Sequence, residues 1–153
     1  MKLGYIDGGG QPAYRTYGVL TDGWRVSNQK VGTSRLTISG KVDRTEARAI
    51  VRLYELTVQV RATCADASVG TRASLAALYD RVDVGSNALY FEDPDGVVFD
   101  PREGTDVPGS HYYDCGVFFE AMESPENYSP LISGSTDNVR FAIPIVLRVA
   151  KVL

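Results

Sequence analysis

The sequence is poor in the residues that most often carry chemistry. It holds one histidine, His111, one tryptophan, Trp24, and two cysteines, Cys64 and Cys115. A general base at His111 needs a nucleophile and an orienting acid beside it, and the sequence around it marks neither. The cysteines lie far apart, outside any metal-ligand spacing, and are expected as reduced thiols packed in the core rather than as activated thiolates. Long apolar runs are missing too. The longest, near 141–147, is interrupted by Pro144, whereas a membrane-spanning helix takes roughly 18–20 apolar residues. Residues 1–7 form no apolar signal region. Lys and Arg nowhere form a block, and 16 of them stand against 19 Asp and Glu for a formal charge of −3. A domain that binds nucleic acid normally carries a basic face that neutralises phosphates. The expectation is a protein with no membrane span, no signal peptide and no specific nucleic-acid binding.

What is present describes an ordinary globule. Hydrophobic residues make up 44% and charged residues 23% of 153 residues, which suits one domain over 1–153 with a core that needs no metal or disulfide. Polar, turn-rich stretches near 7–12, 101–111 and 124–137 are expected as mobile loops.

Period-two alternation dominates the rest. Leu36, Ile38 and Val42 alternate with Arg35, Thr37, Ser39 and Lys41. Tyr54, Leu56, Val58, Val60 and Ala62 alternate with Glu55, Thr57, Gln59 and Arg61. Further apolar stripes are Tyr113, Cys115, Val117, Phe119 and Ala121, then Val139, Phe141, Ile143, Ile145, Leu147 and Val149. Pro144 lacks a backbone donor, which predicts an edge strand or a bulge there. Residues 46–53 fit both periods and are read as a short helical or irregular entry. Leu75, Leu78, Tyr79 and Val82 build a helical stripe over about 71–84, with Ser68 or Thr71 as cap and Gly85 as terminator. Residues 87–99 predict a β-hairpin around Asp93-Pro94-Asp95-Gly96. The sum is a mainly β fold, an antiparallel β-sandwich or partly closed barrel flanked by one α-helix.

Neither a catalytic residue set nor a cofactor-binding motif emerges. Gly8-Gly9-Gly10 precedes no helix, so a phosphate cradle is not expected. The acidic stretch Glu92, Asp93, Asp95, Asp100, Glu103 and Asp106 lacks the spacing of a calcium loop, and no metal is expected. One feature departs from the ordinary. The second face of strand 112–122 carries Tyr112, Asp114, Gly116, Phe118, Glu120 and Met122, and a monomer seldom leaves Tyr, Phe and Met together on a wet face. Either the helix or another subunit is expected to cover it.

The order of elements carries a resemblance. The strands at 35–42 and 54–62 lead to the helix with Leu75-Ala76-Ala77-Leu78-Tyr79. Then Gly85-Ser86-Asn87-Ala88-Leu89-Tyr90-Phe91 runs into the Asp-Pro-Asp-Gly turn and a strand over 112–123. Over about 33–123 this resembles the sandwich-plus-helix unit of long-tailed bacteriophage tail proteins of the tail-tube and distal tail fold family. The resemblance implies a non-enzymatic virion component, made in the host cytoplasm, that joins copies of itself into a ring such as a hexamer and contacts other tail proteins. Distal, tube, terminator and completion positions all stand open. Tyr112, Phe118, Met122, Arg140 and Arg148 are the expected subunit contacts. The six carboxylates of 92–106 are the expected acidic lining of a DNA channel, where like charge keeps a polyanion from sticking.

Two rival readings carry their own expectations. A monomeric β-sandwich binding module, for carbohydrate or a protein partner, would use Trp24, Tyr14 and Tyr17 as an aromatic platform. A hydrolase would need a concave pocket holding His111 or a close acid pair.

Overall fold

The computed structural model describes residues 1–31, 34–36, 42–44, 49–81, 88–104, 115–122 and 139–150. His111, Tyr112, Asp106 and the 124–137 loop lie outside this set. The architecture is mainly β. One antiparallel sheet runs in the order β2 (Pro12–Thr16), β1 (Lys2–Ile6), β7 (Tyr90–Glu92), β8 (Val98–Phe99). The other runs β3 (Gly18–Val31), β6 (Ala49–Arg61), β10 (Arg140–Val149), β9 (Val117–Met122). Short strands β4 (Ser34–Leu36) and β5 (Val42–Arg44) pair with each other. The helix α1 spans Arg72–Tyr79.

The two sheets pack face to face, because each puts alternate apolar residues inward. Tyr54, Leu56, Val58 and Val60 of β6 and Phe141, Ile143, Ile145 and Leu147 of β10 join Leu3 and Phe91 of the first sheet in one core, together with Leu75 and Leu78 of α1. Tyr54 meets Phe91 edge-on at 5.1 Å between ring centroids. Along one seam the layers are also tied through backbone, since Leu89 and Val117 exchange hydrogen bonds of 2.8 and 3.0 Å.

Several expectations are corrected. Residues 49–53 are strand and not a helical entry, because pairing with β3 outweighs their ambiguous period. The chain before residue 32, in which the sequence marks only the 7–12 loop, holds three strands. The loop expected near 7–12 is present as a turn between β1 and β2, in which Asp7 Oδ1 accepts from the Gly9 and Gln11 amides at 2.9 and 2.8 Å. The last strand is interior, not an edge. Pro144 is exposed in it, and its pairing to β9 begins only at Ile145, so no described β9 residue stands opposite the proline. Helix α1 is shorter than its stripe implies. Thr71 caps it reciprocally with Ser74, and Tyr79 is its last helical residue. Cys64 and Cys115 are only half-buried, outside the core cluster.

A bulge in β9 changes which residues face out. Leu147 stands opposite Phe119 and Val146 opposite Ala121, which leaves Glu120 without a partner in the ladder. The extra residue moves everything after it to the other face. Met122, expected on the outer face with Phe118, is therefore a core residue, 8% exposed and opposite Ile145.

Candidate functional site

Two regions bear on the expected roles: the acidic hairpin and the outer face of β9 and β10. In the hairpin, Asp93 is buried and serves its own turn. Its Oδ1 accepts from the amides of Asp95 and Val97 at 2.9 and 2.8 Å, and its Oδ2 accepts from the Tyr54 hydroxyl at 3.2 Å. Gly96 closes the turn with a positive φ of 88°, which only glycine adopts freely. Burial, and then the negative charge of Asp93, push the Tyr54 phenol up to about 12.

Asp100 is likewise buried. It caps the short 3-10 turn Pro101–Glu103 by accepting from the Arg102 amide at 2.9 Å. Its two oxygens also accept from the Arg102 guanidinium, Oδ1 and Oδ2 from Nε at 3.0 Å each and Oδ2 from Nη2 at 2.6 Å. That fork holds the carboxyl below its ordinary range against the opposing effect of burial. Glu92 pairs with Lys2 at 2.9 Å. Asp95 and Glu103 are exposed. Of the expected channel lining, Asp93 and Asp100 thus point into the protein, Glu92 is paired, and Asp95 and Glu103 face solvent. Sequence reasoning had the signal for the first two, since Asp ahead of a Pro or Gly turn commonly accepts from amides two residues on.

On the other region, Phe118 stands opposite Arg148, whose Nε lies 3.3 Å from Glu120 Oε2. Arg140 is half-buried opposite Arg61. Phe119, on the inner face, meets Tyr79 edge-on at 5.4 Å. Phe118, Arg140 and Arg148 thus stand on the second sheet away from the core cluster, and Met122 does not join them.

The aromatic platform of the binding-module reading is not assembled. Tyr17 is 1% exposed. Tyr14 stacks on Tyr90 at 5.3 Å. Trp24 is half-buried, stands opposite Leu56 and packs against the core, bordering a hollow of about 400 Å³ that the 2.6 Å pair of Arg25 with Glu55 also lines. This hollow forms because β3 leaves its ladder between Val19 and Trp24. Among the described residues no group of three His, Cys, Asp or Glu side chains is placed to hold a metal ion, and no helix is long and apolar enough to cross a membrane.

One further feature was not legible in the pattern. The β3–β6 ladder continues through Asn28–Arg52, Gln29–Val51, Lys30–Ile50 and Val31–Ala49, past the last β10 pairing at Leu53. Among the described residues this end of the ladder is a two-stranded ribbon. Beside the ribbon, Val26 stands opposite Tyr54 yet is 42% exposed.

No protein-family model matches the chain, and no curated protein or solved structure matches it either.

Proposed function

We propose that the chain is a structural subunit of a phage-like tail, in the distal, tube or another minor position, that assembles with copies of itself and with other tail proteins around a DNA channel. The ribbon of β3 and β6 carries this reading. A two-stranded ribbon is marginal in water by itself and gains stability when another strand or surface covers it. Strand addition from a neighbour is the ordinary solution. Phe118, Arg140 and Arg148 offer a second contact surface, and Asp95 and Glu103 remain as solvent-facing carboxylates for a channel.

The test is the solution mass by light scattering over a concentration series, followed by negative-stain imaging. A closed multiple of the chain with a central opening supports the ring. A strict monomer at high concentration counts against self-assembly and favours the binding-module reading, whose ligand would then be sought at Trp24.

A further inference from the structure

Three Asp–Gly steps occur in the sequence, at 7–8, 22–23 and 95–96. Such a step can close on itself, because glycine leaves its own amide nitrogen uncrowded beside the preceding carboxyl. The three stand in different surroundings.

At Asp7 the turn between β1 and β2 brings the parts of that reaction together. Asp7 and Gly8 are both exposed. Asp7 Oδ1 accepts from the Gly9 amide at 2.9 Å and from the Gln11 amide at 2.8 Å, so the carboxyl is folded forward over the backbone that follows it. The Gly8 amide belongs to the ring that the first of these bonds closes. Among the described residues this amide has no acceptor and Asp7 Oδ2 has no donor. Backbone bonds hold the turn, with Asp7 N donating to the Gln11 carbonyl at 2.8 Å and Gly10 N to the Asp7 carbonyl at 3.0 Å. An oxyanion forming on Oδ1 therefore meets two amide donors already in place, the arrangement that stabilises tetrahedral intermediates of acyl transfer.

The other two steps lack it. Gly96 N is taken by the Asp93 carbonyl at 3.1 Å, and the Asp95 carboxyl accepts from no described amide. Asp22 and Gly23 lie in β3, where a Cβ added at Gly23 would come within 2.9 Å of Thr57 Cβ. The backbone there has little room to turn onto the carboxyl, and Asp22 too accepts from no described amide.

We propose that Asp7–Gly8 is a modification site, at which the folded turn promotes isomerisation of Asp7 through a cyclic imide. The step starts from the protonated carboxyl. Gly8 N bonds to Cγ and gives up its proton. The Cγ–Oδ2 bond breaks, and Oδ2 leaves as water with that proton and the carboxyl's own. Water then opens the ring. Addition at Cγ restores aspartate, and addition at the main-chain carbonyl carbon of Asp7 gives the isoaspartyl linkage, in which the chain runs through Cβ. One water leaves and one enters, and nothing is oxidised or reduced. The product lengthens the turn by a methylene and removes the acceptor that Gly9 and Gln11 share. The turn then loosens, and with it the 3.5 Å contact of Arg102 Nη1 with the Gly10 carbonyl.

The test is incubation of the folded protein in warm, mildly acidic buffer. Isoaspartate is read by enzymatic methylation of isoaspartyl carboxyls and by electron-transfer fragmentation of tryptic peptides. The three steps fall in separate peptides, Leu3–Arg15, Thr16–Arg25 and Val82–Arg102. Isoaspartate is expected at Asp7 about tenfold faster, or more, than at Asp22 or Asp95. In strong urea the three rates are expected to converge, with Asp7 slowing. Gly8→Ala has space in the fold, since an added Cβ there meets nothing within 4 Å. The new methyl crowds the attacking nitrogen, so the rate at Asp7 is expected to drop by about tenfold at an unchanged melting temperature. The wild-type comparison of folded protein with urea stands even where the variant folds poorly. Similar rates at the three steps in the folded protein overturn the proposal, as does an undiminished rate in folded Gly8→Ala. A rate at Asp7 that rises in urea overturns it too, and would make the turn a protection of that carboxyl.

Discussion

The Tyr54 hydroxyl reaches across the sandwich to donate to Asp93 Oδ2 at 3.2 Å, joining a central strand of one sheet to the tight turn of the other. Both residues are at most 5% exposed. Tyr54→Phe strips this bond from a buried carboxylate and is expected to cost about 1–3 kcal/mol in urea unfolding. The phenol also sets a pH dependence. Its folded pKa, about 12, lies above the ordinary 10.0, so its contribution is complete below pH 10 and is lost as pH rises toward 12. Thermal melts of the wild type should fall more steeply across that window than those of Tyr54→Phe.

Asp100 and Arg102 behave in the opposite sense. The folded carboxyl titrates below 3.8, so the pair stabilises above that pH and its contribution disappears as pH falls through the folded value. Arg102→Gln is expected to melt below the wild type at neutral pH. The gap should close in acid, and melting curves between neutrality and strong acid check it.

The bulge makes neighbouring residues of β9 unequal. Met122→Ala removes a core side chain and is expected to cost about 2–4 kcal/mol. Phe118→Ala, half-buried on the outer face, should cost the isolated subunit about 1 kcal/mol or less. If the two losses were equal in denaturant titrations, the face assignment would fail.

Gly70 lies against Tyr17, where an added Cβ would overlap the ring. Tyr17 is buried and its hydroxyl is tied to Ser74, so displacing the ring by Gly70→Ala is expected to destabilise by about 1–3 kcal/mol. Near-ultraviolet circular dichroism should register the displaced ring.

Val26→Glu places a charge at the exposed valine of β3 that borders the ribbon. It is expected to reduce assembly mass in light scattering while shifting the melting temperature of the subunit by only a few degrees, on the order of 1 kcal/mol or less for an exposed site. An unchanged mass would show that this face takes no part in association.

The sequence was most legible where local period and burial agree. The stripe of Tyr54, Leu56, Val58 and Val60, the Asp-Pro-Asp-Gly hairpin and the Leu75–Leu78 helix face are all found where alternation or helical spacing put them. It was least legible before residue 32. There Gly4 permits a close approach of the Ala13–Tyr14 backbone, and β3 slips its register with β6 around Thr21-Asp22-Gly23, so neither strand shows a clean period. Tyr17 reads like any exposed aromatic until the bridge Thr16–Val69 and Gly70 enclose it. The site was legible only in part for a related reason. Acidic residues look alike in sequence, whether they face solvent, as Asp95 does, or fold back on their own amides, as Asp93 does.

Glu120 has a consequence for how the molecule tolerates change in length. With that residue deleted, Phe119 and Ala121 would still face Leu147 and Val146, now in an unbroken ladder, so the core would keep its occupants. The loss would fall elsewhere. A bulged strand is kinked and hard to copy, whereas a regular one is a template for any passing strand. The surplus residue acts as a guard against promiscuous polymerisation, and a chain one residue shorter at this point would trade colloidal stability for a straighter sheet.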